Sequence, residues 1–194
     1  MTKTRNIVLA LSTTLGLGLA LNASAAGTMA GQLNAQMILQ AGCIVSGAPG
    51  AGATGVNFGT LDFGSQPSTF TGVLTASASG GAGGAGATQI TCSADITTLN
   101  ISVGAGNNAG QGATVGTGAR AMQLGATSSY LPYEVYSDAG LTTPYPTAAT
   151  SIGVVLPGTG APFALPIFGR VNKTNVNAMP SGTYSDVLNV TLSW

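Results

Sequence analysis

No histidine occurs anywhere in the 194 residues. That absence removes the usual general base at neutral pH, the commonest zinc ligand and every serine–histidine triad. Charge is scarce as well, at 5% of the sequence. The five carboxylates, Asp62, Asp95, Glu134, Asp138 and Asp186, are scattered, with no adjacent pair to act as acid and base. Asp138 falls in a Ser-Asp-Ala-Gly turn and Asp95 follows a strand, neither within a calcium-loop pattern. The glycine-rich run 80–86 lacks the Gly-Lys-Ser/Thr ending of a phosphate loop and reads as a flexible connection. Neither an enzyme nor a cofactor or metal site is expected from such a chain.

A basic patch is missing too. Lys3 and Arg5 lie in an N-terminal leader, which leaves Arg120, Arg170 and Lys173 against the five carboxylates, a net charge of −2. Nucleic acid and anionic membrane surfaces are therefore poor partners. So bare a surface offers little repulsion between copies and suits a protein that works in an assembly.

What the chain does contain is apolar content, 44% of residues, enough to supply a core. The leader has the form of an export signal: a basic start, an apolar run over 7–21 and a small-residue site at Ala23-Ser24-Ala25. Residues 1–25 are expected to be removed. A membrane anchor is the alternative, for which the run is short. The remainder suits one domain.

Helical periodicity is absent after the leader. Short alternating apolar runs bounded by Gly, Pro, Asn, Asp and Ser predict an all-β fold. The strands are expected at 56–63, 70–78, 88–92, 99–103, 131–136, 152–156, 163–171 and 184–194. A bend is expected near Gly59, where the apolar parity switches. Pro132 predicts an edge or a strand start, and Pro166 an edge or a bulge. Residues 104–119 and 125–129 read as loops. In the terminal run Tyr184, Asp186, Leu188, Val190, Leu192 and Trp194 share one face, with no tail after Trp194. So apolar a strand is expected between two neighbours, because an open edge there invites association.

The stretch 31–43 has the same period of two. Leu33, Ala35, Met37, Leu39 and Ala41 alternate with Gln32, Asn34, Gln36 and Gln40, Ile38 being the exception. A strand with amides where charges usually stand is poorly defended against pairing with another chain. Two readings are open: a first strand within its own sandwich, or a strand given to a neighbour. Cys43 and Cys92, the only cysteines, suit a disulfide in an exported chain, reactive thiols being the alternative. The bridge closes a loop of roughly 50 residues, worth about 3–4 kcal/mol in the chain-entropy account.

Several runs follow one another in a recognisable order. They are Gly31-Gln32-Leu33, Gly42-Cys43, Phe58 to Gly64, Ile90-Thr91-Cys92, Ala119-Arg120-Ala121-Met122, Leu131 to Asp138, Ile167 to Val171, and Gly182 to Leu192. The sequence resembles the spore coat protein U family, which includes the Csu-type pilins of archaic chaperone–usher pili. The resemblance implies an immunoglobulin-like sandwich that lacks its last strand. It implies a periplasmic assembly chaperone that fills the gap, and an outer-membrane usher. It also implies a neighbouring pilin subunit, identical or related, whose N-terminal strand replaces the chaperone in the fibre. On that pattern residues 26–41 are the donor strand, with Leu33, Ala35, Met37 and Leu39 inserted, and 42–194 form the pilin domain. Tyr184 resembles the tyrosine corner of such sandwiches. The implied function is a structural subunit of a cell-surface pilus, exported through the periplasm and supporting attachment and biofilm formation. The alternative is a monomeric secreted coat or binding protein with a self-complete sandwich.

Overall fold

The structure is a computed structural model that describes residues 27–48, 50 and 52–194. The expected signal peptide, residues 1–25, lies outside the described residues. The chain divides into two units between Ile38 and Leu39. Of the first, residues 27–38 are described; none is in a strand and all are exposed.

The second unit is all-β, with no helix among its described residues. Its strands in chain order are β1 (Cys43–Val45), β2 (Gly72–Ser77), β3 (Gln89–Cys92), β4 (Thr98–Val103), β5 (Gly116–Thr117) and β6 (Arg120–Leu124). They continue with β7 (Tyr130–Tyr136), β8 (Ile152–Val155), β9 (Phe163–Ala164), β10 (Phe168–Lys173), β11 (Tyr184–Ser185) and β12 (Val190–Ser193). The largest sheet runs β11-β6-β7-β10-β2, with β5 pairing β10 off that path. Two smaller sheets run β1-β3-β9 and β12-β4-β8. Every strand pairing is antiparallel.

All three sheets feed one core. Leu99, Ile101 and Val103 of β4 are wholly buried, at the alternate positions that a period of two dictates. They meet Ile90 and Cys92 of β3, Leu131, Tyr133 and Val135 of β7, and Val171 of β10 in one cluster. Burying a side chain of this size contributes about 1.5–3 kcal/mol. Tyr145 joins them and donates its hydroxyl to the Pro166 carbonyl at 3.0 Å.

The scarce charges are used inside. Arg120, at the start of β6, is wholly buried. Its guanidinium donates to the carbonyls of Gly104 at 2.8 Å, Val103 at 2.9 Å and Tyr145 at 3.0 Å. It also meets the Glu134 carboxylate at 2.6 Å. Glu134 Oε2 accepts the Ala119 amide at 3.1 Å. One cation thus ties the β6–β7 hairpin to the end of β4, with its donors matched as a buried charge requires.

Several expectations need correction. The run 56–63 is not a strand: Thr60 makes an isolated bridge with Ser79. The bend at Gly59 is real, with φ at +103°, and a side chain there would collide with the Ser79 backbone. Pro132 is neither at an edge nor at a strand start, but wholly buried inside β7 between β6 and β10. The sheet accommodates it because the β7–β10 ladder ends at Tyr133, and from Asn172 onward β10 pairs with β5 instead. No ladder bond to β10 is needed from the position that lacks an N–H. Residues 163–171 form two strands, β9 and β10, separated around Pro166. The expected loop 104–119 contains β5.

The terminal run differs most. It is split into β11, which joins the large sheet beside β6, and β12, which pairs only with β4 at the end of its sheet. It is therefore not central. The alternation itself holds, with Tyr184, Asp186, Leu188, Val190 and Leu192 half-buried and the residues between them exposed. Trp194 is 47% exposed.

Candidate functional site

The break in the terminal run comes from Asp186. Its carboxylate accepts the Tyr133 hydroxyl at 2.8 Å, the Asn107 amide at 2.8 Å and the Val187 amide at 2.9 Å. Gly106 lies against the same carboxylate, with φ at +75°, so only glycine fits there. Burial together with the Asp186 carboxylate holds the Tyr133 phenol well above its ordinary pKa. Two separate segments thus converge on one acidic side chain, and the chain leaves the ladder of β11 to cross to β12. Just upstream, the Tyr184 hydroxyl donates to the Pro180 carbonyl at 3.0 Å, the local bond of a tyrosine corner.

The crossing delivers β12 to the edge of its sheet. It lies against β4 in the register Val190↔Val103, Thr191↔Ser102, Leu192↔Ile101 and Ser193↔Asn100. On β4 the partners Val103 and Ile101 are wholly buried, whereas Val190 and Leu192 are half-buried. The other long side of β12 has no strand partner among the described residues. Such an edge presents unpaired N–H and C=O groups to any extended chain.

Other free edges offer less. β1 and β9 have three and two residues. β8 carries Gly153 in its ladder and is followed by Pro157, features that blunt an edge. β2 is longer, but its core-facing residues are only Leu74 and Ala76. β12 and the two residues ahead of its ladder carry Leu188, Val190 and Leu192, a larger apolar set left partly open. The incompleteness extends beyond this strand. None of the five phenylalanines, Phe58, Phe63, Phe70, Phe163 and Phe168, is fully buried. Phenylalanine is among the residues most often found inside a finished core.

The N-terminal candidates have the complementary property. Leu33 is 96% exposed, Met37 78% and Leu39 82%, and Ala35 is exposed as well. Residues 27–42 enter no strand, so the reading of 31–43 as a strand is not realised within this chain. The first strand begins at Cys43. There the Cys43–Cys92 disulfide, with the register Cys43↔Cys92, joins β1 to β3. The Gly42 amide donates to Ser93 Oγ at 3.1 Å, and the Ser93 amide donates to the Gly42 carbonyl at 2.9 Å. The base of the N-terminal segment is thereby pinned while the side chains ahead of it stay exposed.

The sequence reading missed the parts that Arg120, Glu134 and Tyr133 take. A signal was present. With three cations among the described residues, one at the head of an apolar run and one carboxylate in the polar phase of another are candidates for an internal pair.

The spore coat protein U domain model matches residues 29–191. No curated protein matches. Among solved structures the chain is similar to the CsuC–CsuE chaperone–tip adhesion subunit pre-assembly complex from the archaic chaperone–usher Csu pili of Acinetobacter baumannii. The identity is 19% and the TM-score 0.41, over 80% of this chain. This chain spans only 40% of the chain it matches there. The family match covers most of the sequence, from the exposed apolar segment at Met29 to the first residues of β12, and the chain belongs to the spore coat protein U domain family.

Proposed function

We propose that this chain is a structural subunit of an extracellular chaperone–usher pilus, polymerising by strand donation. Residues 1–25 direct export and are removed, 26–41 are the donated strand, and 42–194 form the accepting domain. The observation that carries the reading is the β12 edge: a free ladder backed by half-buried Leu188, Val190 and Leu192. An added strand gives main-chain hydrogen bonds along that edge, and its alternate side chains set the register. Leu33, Ala35, Met37 and Leu39 of a neighbouring subunit supply those side chains. Burying Leu33, Met37 and Leu39 contributes roughly 5–8 kcal/mol before ordering costs, at about 1.5–3 kcal/mol each. Ala35 faces the shallowest part of the groove.

Before assembly the same edge needs a temporary occupant, because an open apolar edge aggregates. A periplasmic chaperone fills that role, and an outer-membrane usher exchanges it for the next subunit. The finished fibre lies on the cell surface and serves attachment and biofilm formation. Electron microscopy of the purified cell-surface fraction tests the reading. Thin fibres containing this chain are expected. A monodisperse soluble monomer contradicts it and favours the self-complete secreted protein.

A further inference from the structure

Away from β12, three loops border an open cleft of about 620 Å³: the one before β5, the one between β6 and β7, and the one between β10 and β11. That volume lies within the ~300–1,000 Å³ of small-molecule sites. No lining residue is on β12, and none carries a charge at neutral pH. The floor is apolar, with Val115 and Met179 packed on the core. The walls present hydroxyls and carboxamides, chiefly Gln111, Ser128, Tyr130 and Asn177. Among the described residues the Gln111 and Asn177 side chains have no hydrogen-bond partner, which leaves donors and acceptors free for a ligand.

The walls are held from behind. Lys173 is wholly buried, a rare state for its residue type. Its ammonium donates to the carbonyls of Asn175 and Asn177, the latter at 2.9 Å, and lies 5.6 Å from the centre of the Phe70 ring. The Asn175 carboxamide donates to the Thr114 carbonyl at 2.9 Å, and the Thr174 and Asn175 amides donate to the Val115 carbonyl. Gly112, with φ at +77°, presses against the Tyr130 backbone. One buried cation and a short ladder therefore fix two of the three loops relative to each other. A preformed wall loses little freedom on binding.

We infer that this cleft binds an uncharged saccharide. A sugar presents hydroxyls that donate and accept, matching free carboxamides and hydroxyls, and an apolar ring face, matching Tyr130 and the Val115–Met179 floor. An anionic glycan finds no cation in the lining, since the Lys173 ammonium is taken up by backbone carbonyls. An extended peptide needs a line of free backbone groups, and the wall backbone at Val115, Asn175 and Asn177 is already bonded.

The test applies full-length protein purified from the cell envelope to an array of neutral and sialylated oligosaccharides, with calorimetric titration of any sugar retained. Retention of neutral sugars is expected, weakened by about tenfold or more in Tyr130→Ala and in Asn177→Ala. Circular dichroism and the Cys43–Cys92 bridge are expected to be unchanged in both. Three results each overturn the inference: no neutral sugar retained by the wild type, a preference for sialylated chains, or retention unaltered in both folded variants. Should Tyr130→Ala fail to fold, Asn177→Ala and Gln111→Ala carry the comparison, since both residues are exposed and neither side chain makes a hydrogen bond among the described residues.

Discussion

β4 borders two differently finished parts of the same core. Beyond Val103, Arg120 closes the space with bonds to three carbonyls and a carboxylate, and Tyr145 is buried against it. Along its flank β4 is covered by β12, whose Val190 and Leu192 are half-buried and whose outer edge is unpaired. Both parts are built from alternating apolar strands. They differ in whether polar groups find partners inside the chain. Where they do, the chain is self-sufficient. Where they do not, the apolar face and the ladder are left incomplete together.

On that contrast, damage to the closed part is expected to destroy the fold, while damage to the exposed N-terminal segment is expected to spare it. The largest effect is expected at Arg120. Arg120→Met leaves the Glu134 carboxylate and three carbonyls without their cation, and removing one partner of a buried pair costs about 3–5 kcal/mol. Chemical denaturation of the purified protein measures it. A change below ~1 kcal/mol means that the network is not what closes this part.

A comparable but smaller loss is expected from Cys43→Ser. It opens the bridge between β1 and β3 and frees the base of the N-terminal segment, at a cost of about 2–5 kcal/mol. Thiol titration of protein from the cell envelope accompanies it. Two free thiols in the wild type contradict the bridge.

The smallest effect is expected from Tyr184→Phe. It removes only the hydroxyl of a half-buried ring, bonded to the Pro180 carbonyl, for about 0.5–1.5 kcal/mol. A larger loss, or a loss of fibres with stability intact, makes Tyr184 part of the accepting groove rather than a local corner.

The strands that carry the core were legible because their burial is regular. Leu99, Ile101 and Val103 alternate, and all three are wholly buried. The Tyr184 hydroxyl bond to the Pro180 carbonyl is likewise local, spanning only four residues. What stayed hidden depends on contacts far apart in sequence. Pro132 breaks a local rule that holds only where the neighbouring strand continues, and β5 replaces that neighbour. The split at Asp186 needs Asn107 and Tyr133, distant in the chain, to supply its donors. The terminal run was expected to be central because its alternation calls for cover. The alternation was read correctly, but cover from a second strand within the chain does not follow from it. Segment 31–43 shows the converse, with strand periodicity and no strand to join.

The central claim is that the exposed N-terminal side chains complete another subunit's edge rather than their own. Met37→Asp tests it most directly. Met37 is 78% exposed here, so the substitution is expected to leave the domain folded, by circular dichroism, and able to bind chaperone and accept a wild-type donor. In a neighbour's apolar groove the same carboxylate is desolvated without a partner, at a cost of several kcal/mol. Co-expressed with wild type and counted by electron microscopy, the variant is predicted to shorten the fibres and reduce their number. A folded variant that leaves fibre length and number unchanged contradicts the account, and an unfolded one shows that Met37 packs within its own domain.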